Sequence, residues 1–269
     1  MNRNSIIIKD NKVVKKRSDK LLNLYDYLSS RGFDNYPRVV NVSDDVIESE
    51  YVLGKDCYEE CKGEELINTI SSLHSKTIEY KSTSKNKYRQ IYEIISGNIE
   101  YLKKYYESMI SEIEEEEFMK PSHYLLSRNY TAIDSSIKYS SKELKIWFNK
   151  VSNKSKERVC IVHNNLSSDH FIKGDKNYLL SFDNYLVDTP ILDLYKYYNK
   201  EGYKLEFNKL LAIYERTLKL LDEEKILLNV LISIPPKITY INDEYLNCKN
   251  IRSIINYIYT SINVVNNNK

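Results

Sequence analysis

Apolar positions alternate in short runs near the start of the chain and recur at helical spacing through most of the remainder. Residues 5–9 read as a short strand, Asp10-Asn11 as a hairpin turn, and residues 12–17 as a second strand. Ser18 is placed to cap a helix over residues 19–30, with Leu21, Leu24, Tyr25 and Leu28 on one face. Arg31-Gly32 predicts a left-handed stop to that helix. Residues 36–40 and 46–52 read as two further strands, and Gly54 ends the β-rich block. Leu66, Ile67, Ile70 and Leu73 predict a helix over residues 64–75. A long amphipathic stretch covers residues 88–118, where Glu114 to Glu117 read as a solvated helix face. Another helical pattern runs over residues 124–149 with an interruption near Ala132. Between residues 160 and 184 the pattern changes to brief apolar runs separated by Asn, Asp, Ser and Gly, which predicts small strands and functional loops. Helices resume from Leu192, Pro235-Pro236 breaks the pattern, and residues 251–264 form the last helix, with 266–269 expected to fray.

Composition narrows the function classes. The chain has 269 residues, enough for a large domain or two lobes. Lys and Arg number 40 against 38 Asp and Glu, which argues against a broad nucleic-acid footprint. A hydrophobic fraction of 42% excludes wholesale disorder. Only 6 glycines occur, leaving little material for phosphate-cradling loops. Cys57, Cys61, Cys160 and Cys248 make no disulfide framework in a chain of this length, and Cys57 and Cys61 lack nearby sequence partners for a metal. No apolar run reaches the roughly 18 residues needed to span a bilayer, so an intracellular, soluble protein is expected.

The stretch Val162-His163-Asn164-Asn165-Leu166-Ser167-Ser168-Asp169-His170-Phe171-Ile172 carries the chemistry. It resembles the catalytic loop of aminoglycoside and choline phosphotransferases, in which His-Gly-Asp is followed five residues after the Asp by Asn. Leu179-Leu180-Ser181-Phe182 resembles the family's metal-binding strand, and Asp188-Thr189-Pro190-Ile191-Leu192-Asp193-Leu194 resembles its Gly-Asp-Pro segment. Upstream, the helix ending Leu73-His74 resembles a family helix, Glu50-Tyr51-Val52-Leu53-Gly54 its hinge, and Val13-Val14-Lys15 its ATP-lysine strand. The order and spacing match over residues 5–194, and the C-terminal part is most similar to the bacterial spore-coat (CotS-type) branch. The resemblance implies an α+β, two-lobed, protein-kinase-like fold. Residues 1–55 would be a reduced β-rich N-lobe and residues 56–269 a mainly helical C-lobe.

The departures from the family fall at reactive positions. Asn165 occupies the catalytic-Asp position, and a carboxamide has no anionic oxygen to accept a hydroxyl proton. His170 and Ser181 occupy the metal-ligand positions, although Mg²⁺ prefers oxygen ligands and a neutral hydroxyl is a weak one. Asp183 lies on the same side as Ser181 if the strand continues, and Asp169 is also out of position. His163 is expected to brace the loop, and Asp193 to be a buried acceptor tying the loop to a helix start. Lys15 is the nucleotide contact that the resemblance implies. Lys16 replaces it if the register slips, and the bland alternative is a solvated lysine in the run Lys15-Lys16-Arg17. No Glu on helix 19–30 is available to pair with Lys15.

These readings imply a phosphotransferase-like pseudokinase acting by binding, in spore-coat or envelope assembly by analogy with that branch. The competing reading is an active small-molecule kinase transferring ATP phosphate to a hydroxyl acceptor. No cofactor is expected, and Mg-ATP enters only under the second reading. The partner would be an unidentified protein or small-molecule ligand, with no nucleic acid and no membrane span. A cytoplasmic or spore-associated location follows from the same resemblance.

Overall fold

The computed structural model describes residues 7–267. The expected first strand therefore begins at Ile7, and Ser5 and Ile6 lie outside the described residues, as do residues 268–269. In chain order the elements are β1 (Ile7–Lys9), β2 (Lys12–Lys16), α1 (Asp19–Ser30), β3 (Val39–Val42), β4 (Val46–Glu50), α2 (Glu59–Lys76) and β5 (Glu79–Ser82). Then come α3 (Lys85–Glu114), α4 (Pro121–Val151), β6 (Lys156–Val162), β7 (Phe171–Ile172), β8 (Tyr178–Leu179), β9 (Leu186–Asp188), α5 (Ile191–Lys200), α6 (Phe207–Thr217), α7 (Asp222–Ser233) and α8 (Glu244–Asn267). They form two compact units. The first holds the segment ending at Glu79 together with Arg158–Lys200 and Lys209–Lys219. The second holds Tyr80–Glu157, Glu201–Asn208 and the segment from Leu220.

In the first unit, β1, β2, β4 and β3 stand in that order in an antiparallel sheet. Asp10 and Asn11 both have positive φ, 50° and 56°, the two left-handed residues that a tight hairpin of matching twist requires. Helix α1 covers the expected residues. The Ser18 side chain accepts from the Leu21 amide, and Leu21, Leu24 and Leu28 are buried. Gly32, at φ 72°, lets the Phe33 amide reach back to the Leu28 carbonyl at 2.9 Å, so Phe33 is buried at the helix end. Five consecutive residues at the end of β6 are buried, and its last three pair with β9.

The second unit is helical, with α4 packed on α3, α7 and α8. Helix α4 passes through Ala132 without the expected interruption. The residues that follow form an inner face, with Ser136 and Ser140 buried beside Ile133 and Ile137. The acidic run also departs from expectation: α3 ends at Glu114, and Glu116 turns to His123 with a 2.9 Å bond. Helix α8 is longer than residues 251–264 and includes Asn266 and Asn267. Tyr105 and Tyr106 donate from α3 to the carbonyls of Ile238 and Pro236, holding the loop that follows Pro235. Among the described residues no helix is long and apolar enough to cross a membrane.

Helix α4 opens on Pro121 with no cap from its own Lys120 side chain. Glu244 serves instead, accepting from the Ser122 amide at 2.7 Å and from its hydroxyl at 3.1 Å. Those bonds hold the Glu244 carboxyl below its ordinary pKa. Glu244→Ala should therefore cost about 1 kcal/mol, the usual worth of a lost helix cap, read as a lower urea midpoint. An unchanged midpoint would show that water replaces this cap without loss.

Candidate functional site

The site grows from the end of β6. Asp193 sits in the first turn of α5 and is fully buried. One carboxylate oxygen accepts from the His163 amide and the other from the Asn164 amide, each at 2.7 Å. The His74 Nε2–H donates to the same carboxylate at 3.1 Å, and the Tyr214 hydroxyl meets the other His74 nitrogen at 2.8 Å. Burial pushes the Asp193 pKa up. The bond and charge of His74, with His163 and the Asn164 amide, outweigh it, and the net is below the ordinary carboxylate value. Asn164 holds φ 64°, a left-handed conformation that Asn tolerates better than most side chains. Its amide group donates to the Asn184 carbonyl at 2.7 Å, and the Lys196 ammonium donates to its side-chain oxygen.

His163 is buried, and its Nε2–H donates to the Leu180 carbonyl at 2.6 Å. Its Nδ1 is buried without a partner, and the ring meets Phe182 edge-on at 4.9 Å. Burial holds this imidazole below the ordinary His value, so the neutral ring is favoured. His170 ends a short 3₁₀ turn and folds back on its own loop, with Nδ1–H donating to the Asn165 carbonyl at 2.8 Å. Asp169 is exposed, with the Lys200 ammonium 4.0 Å away.

The strand expected to carry Asp183 beside Ser181 does not continue. Strand β8 stops at Leu179, Ser181 takes φ 61°, and Phe182–Asn184 form a 3₁₀ turn. Asp183 instead stands 3.9 Å from the Lys15 ammonium. Lys15 pairs opposite Ile47 in the sheet and is one-quarter exposed. No α1 carboxylate meets it. That side of the helix carries Tyr25, stacked on Tyr36 at 4.5 Å and edge-on to Phe182. Burial and then the Asp183 charge raise the Tyr25 pKa.

Two cavities of about 220 Å³ each share Lys15 and Leu21. One is apolar, lined by Val13, Tyr25, Ile47, Val52, Ile172 and Leu180. The other is basic, lined by Lys15, Lys16, Arg17 and Lys20 with Asp183 and Tyr185. A Cβ on Gly54 would lie 3.2 Å from Ile172, so glycine allows residues 53–55 to approach the β7–β8 hairpin. The Lys55 amide bonds the Lys173 carbonyl there at 2.7 Å. Sequence reasoning treated Lys16 only as a register alternative to Lys15 and gave Lys20 and Tyr185 no role. The only signal was the basic run itself, because Tyr185 and Lys20 meet solely through the fold, with the ammonium 4.6 Å from the ring centroid.

The donor set does not fit Mg²⁺. Asn165 and Ser181 offer no charge, and the imidazole of His170 is a poor partner for a hard cation. Among the described residues no three His, Cys, Asp or Glu side chains are grouped to hold a metal. Cys61 instead receives the Lys173 ammonium at 2.8 Å.

By sequence the chain matches no protein-family model and no curated protein. Solved structures do match. An aminoglycoside phosphotransferase from Alicyclobacillus acidocaldarius superposes with a TM-score of 0.62 at 10% identity, over 97% of this chain and 88% of that one. A glucosamine kinase in complex with glucosamine, ADP and inorganic phosphate gives 0.55 at 9% identity, over 97% and 77%. An AMP-bound spectinomycin phosphotransferase gives 0.51 at 12%, over 93% and 87%. The chain has the α+β, two-lobed, protein-kinase-like fold of these phosphotransferases.

Two outcomes follow from the loop geometry. Asp193→Ala should cost about 3 kcal/mol or more, since it strands buried donors that now meet a charge. Asn165→Ala should cost about 1 kcal/mol or less, because the residue is half-exposed and its bond to His170 uses the backbone. Urea midpoints decide, and a lower midpoint for Asn165→Ala would contradict the geometry.

The second outcome concerns pH. With the folded His163 pKa below 6.5, the unfolded chain takes up the proton first as pH falls through that value. Stability is thus full above it and declines below it. The lowered Asp193 pKa adds loss only at more acid pH, below the unfolded carboxylate value of 3.8. From pH 7 to pH 5 the urea midpoint should fall in the native chain and fall less in His163→Gln. Equal slopes would show that His163 does not titrate on unfolding.

Proposed function

We propose that this chain is a pseudokinase, a kinase-like protein that acts by binding and not by phosphoryl transfer. One sequence feature carries the reading: in the motif resemblance, Asn165 and Ser181 fall where the family has its catalytic and metal-binding carboxylates. Transfer from ATP needs a group to take or orient the hydroxyl proton and metal ligands to neutralise phosphate charge. The carboxamide of Asn165 does neither, and the backbone carbonyl of the same residue is already engaged by His170. His163 acts as the loop brace, Asp193 as its buried anchor, and Lys15 as the cation of the ligand cleft. Residues 1–55 act as a reduced ligand-binding lobe. No cofactor is assigned, and Mg-ATP is not the ligand. The ligand is a small molecule or a protein, and a role in spore-coat or envelope assembly rests on the C-terminal resemblance alone.

A second reading has one observation in its favour. The carboxylate of Asp183 faces Lys15 at 3.9 Å, two residues from the position at which the family places its metal ligand. An active small-molecule kinase with an altered site would use that carboxylate, with ATP as phosphate donor and a hydroxyl as acceptor.

Turnover separates the two. With Mg-ATP and aminoglycoside, glucosamine or choline acceptors, ADP release should not rise above the protein-free control. Mg-dependent turnover that disappears in Asn165→Ala would sink the pseudokinase reading. Turnover that disappears in Asp183→Asn would establish the second.

A further inference from the structure

We propose that the basic cavity at the start of α1 binds a phosphate-bearing small anion without a divalent cation, its charge met by Lys15, Lys16 and Lys20. This rests on the non-catalytic reading of the same cleft and names the class of ligand it takes. Metal and lysine solve one problem, the neutralisation of phosphate charge, by different means. Here the metal solution is missing its ligands, since Asn165, His170 and Ser181 present no carboxylate. The other solution is built in, because four basic side chains and one carboxylate line a single concave space.

The arrangement of those cations supports the assignment. Arg17 is committed, donating to Asp19 at 2.9 Å and to the Ser43 carbonyl at 3.1 Å. It fixes the corner between β2 and α1 and so sets where its neighbours stand. Lys15 and Asp183 are 3.9 Å apart, too far for a direct hydrogen bond, so an incoming anion competes only with a loose partner. Lys20 lies over the Tyr185 ring, which forms one wall of the cavity and steers the ammonium along it. Ser18, the N-cap of α1, lines the same space, which puts the positive end of the helix dipole there too. At roughly 30 Å³ per water, a volume of about 220 Å³ admits a phosphate or diphosphate group. The adjoining apolar cavity shares Lys15 and Leu21, so an apolar or ring-bearing remainder of the ligand has a place beside the anionic head.

The metal dependence is therefore reversed from that of a phosphotransferase. A divalent cation on the ligand would cancel the charge that the lysines attract, with no carboxylate set to hold the cation in exchange.

Inorganic pyrophosphate is the probe, titrated by calorimetry into the full chain at low ionic strength, once in EDTA and once in excess Mg²⁺. Saturable binding is expected in EDTA, weakened severalfold by Mg²⁺ and by added salt. The double variant Lys16→Glu, Lys20→Glu should bind about tenfold weaker or worse, since each reversal turns an attraction into a repulsion. Asp183→Asn removes the one repelling carboxylate and should bind tighter. Lys103→Glu with Lys104→Glu, on the exposed side of α3, is the control for diffuse attraction and should change nothing. Urea midpoints confirm that each variant is folded. No binding in EDTA, or equal loss in the control variant, overturns the cavity assignment and leaves the pseudokinase reading standing. Tight binding only with Mg²⁺, lost in Asp183→Asn, also overturns it and makes Asp183 a metal ligand. Turnover of Mg-ATP would sink the non-catalytic reading whatever the pyrophosphate does.

Discussion

The carboxylate of Asp193 has no contact with solvent and three donors around it. A buried charge is tolerated only where the surrounding groups replace the water it has lost. Here the replacements come from separate stretches of chain: the last turn of α2 through His74, and the end of β6 through the His163 and Asn164 amides. Tyr214 of α6 holds His74 from its other side. Each of these elements must stand where it does or the charge is left exposed to an apolar interior. The left-handed turn at Asn164 follows from the same demand, because two successive amides must point at one carboxylate. The direction in which the loop leaves β6 is thereby set, and with it the positions of Asn165, His170 and the residues that face the cleft.

This anchor is fully buried, so its work is on the scaffold. Asp193, His74 and His163 hold the loop in place. The polar side chains beside them are a carboxamide, an imidazole turned back on its own loop, and a serine in a left-handed turn. A fold shared with phosphotransferases does not by itself fix the chemistry of the site. Lys15 and Lys16 of β2 and Lys20 of α1 line one cavity together with Asp183.

Local structure was largely written in local pattern. Helix α1, its Ser18 cap, its Gly32 stop and the Asp10-Asn11 hairpin were each predicted from residues within a few positions of one another. Their physics is short-ranged: capping, positive φ, and apolar spacing over a few turns. The expectation that Asp193 is a buried acceptor at a helix start agrees with its burial and its bonds from the His163 and Asn164 amides. The break expected in α4 failed for a complementary reason. Packing against neighbouring helices buries Ser136 and Ser140 and carries α4 through that region.

What the sequence could not contain was the meeting of distant groups. Strand periodicity would have set Asp183 beside Ser181, but the left-handed turn at Ser181 ends the strand and sends the carboxylate toward Lys15, 168 positions earlier in the chain. Lys20 and Tyr185, or Tyr25 and Phe182, are neighbours only after folding. The sequence by itself determined local elements such as α1 and the β1–β2 hairpin and the chemical identity of each side chain, since those depend on backbone preference and residue type. Tertiary structure alone decided which charges face one another across the cleft, because electrostatic partners are chosen by distance in space, and distance along the chain does not limit that choice.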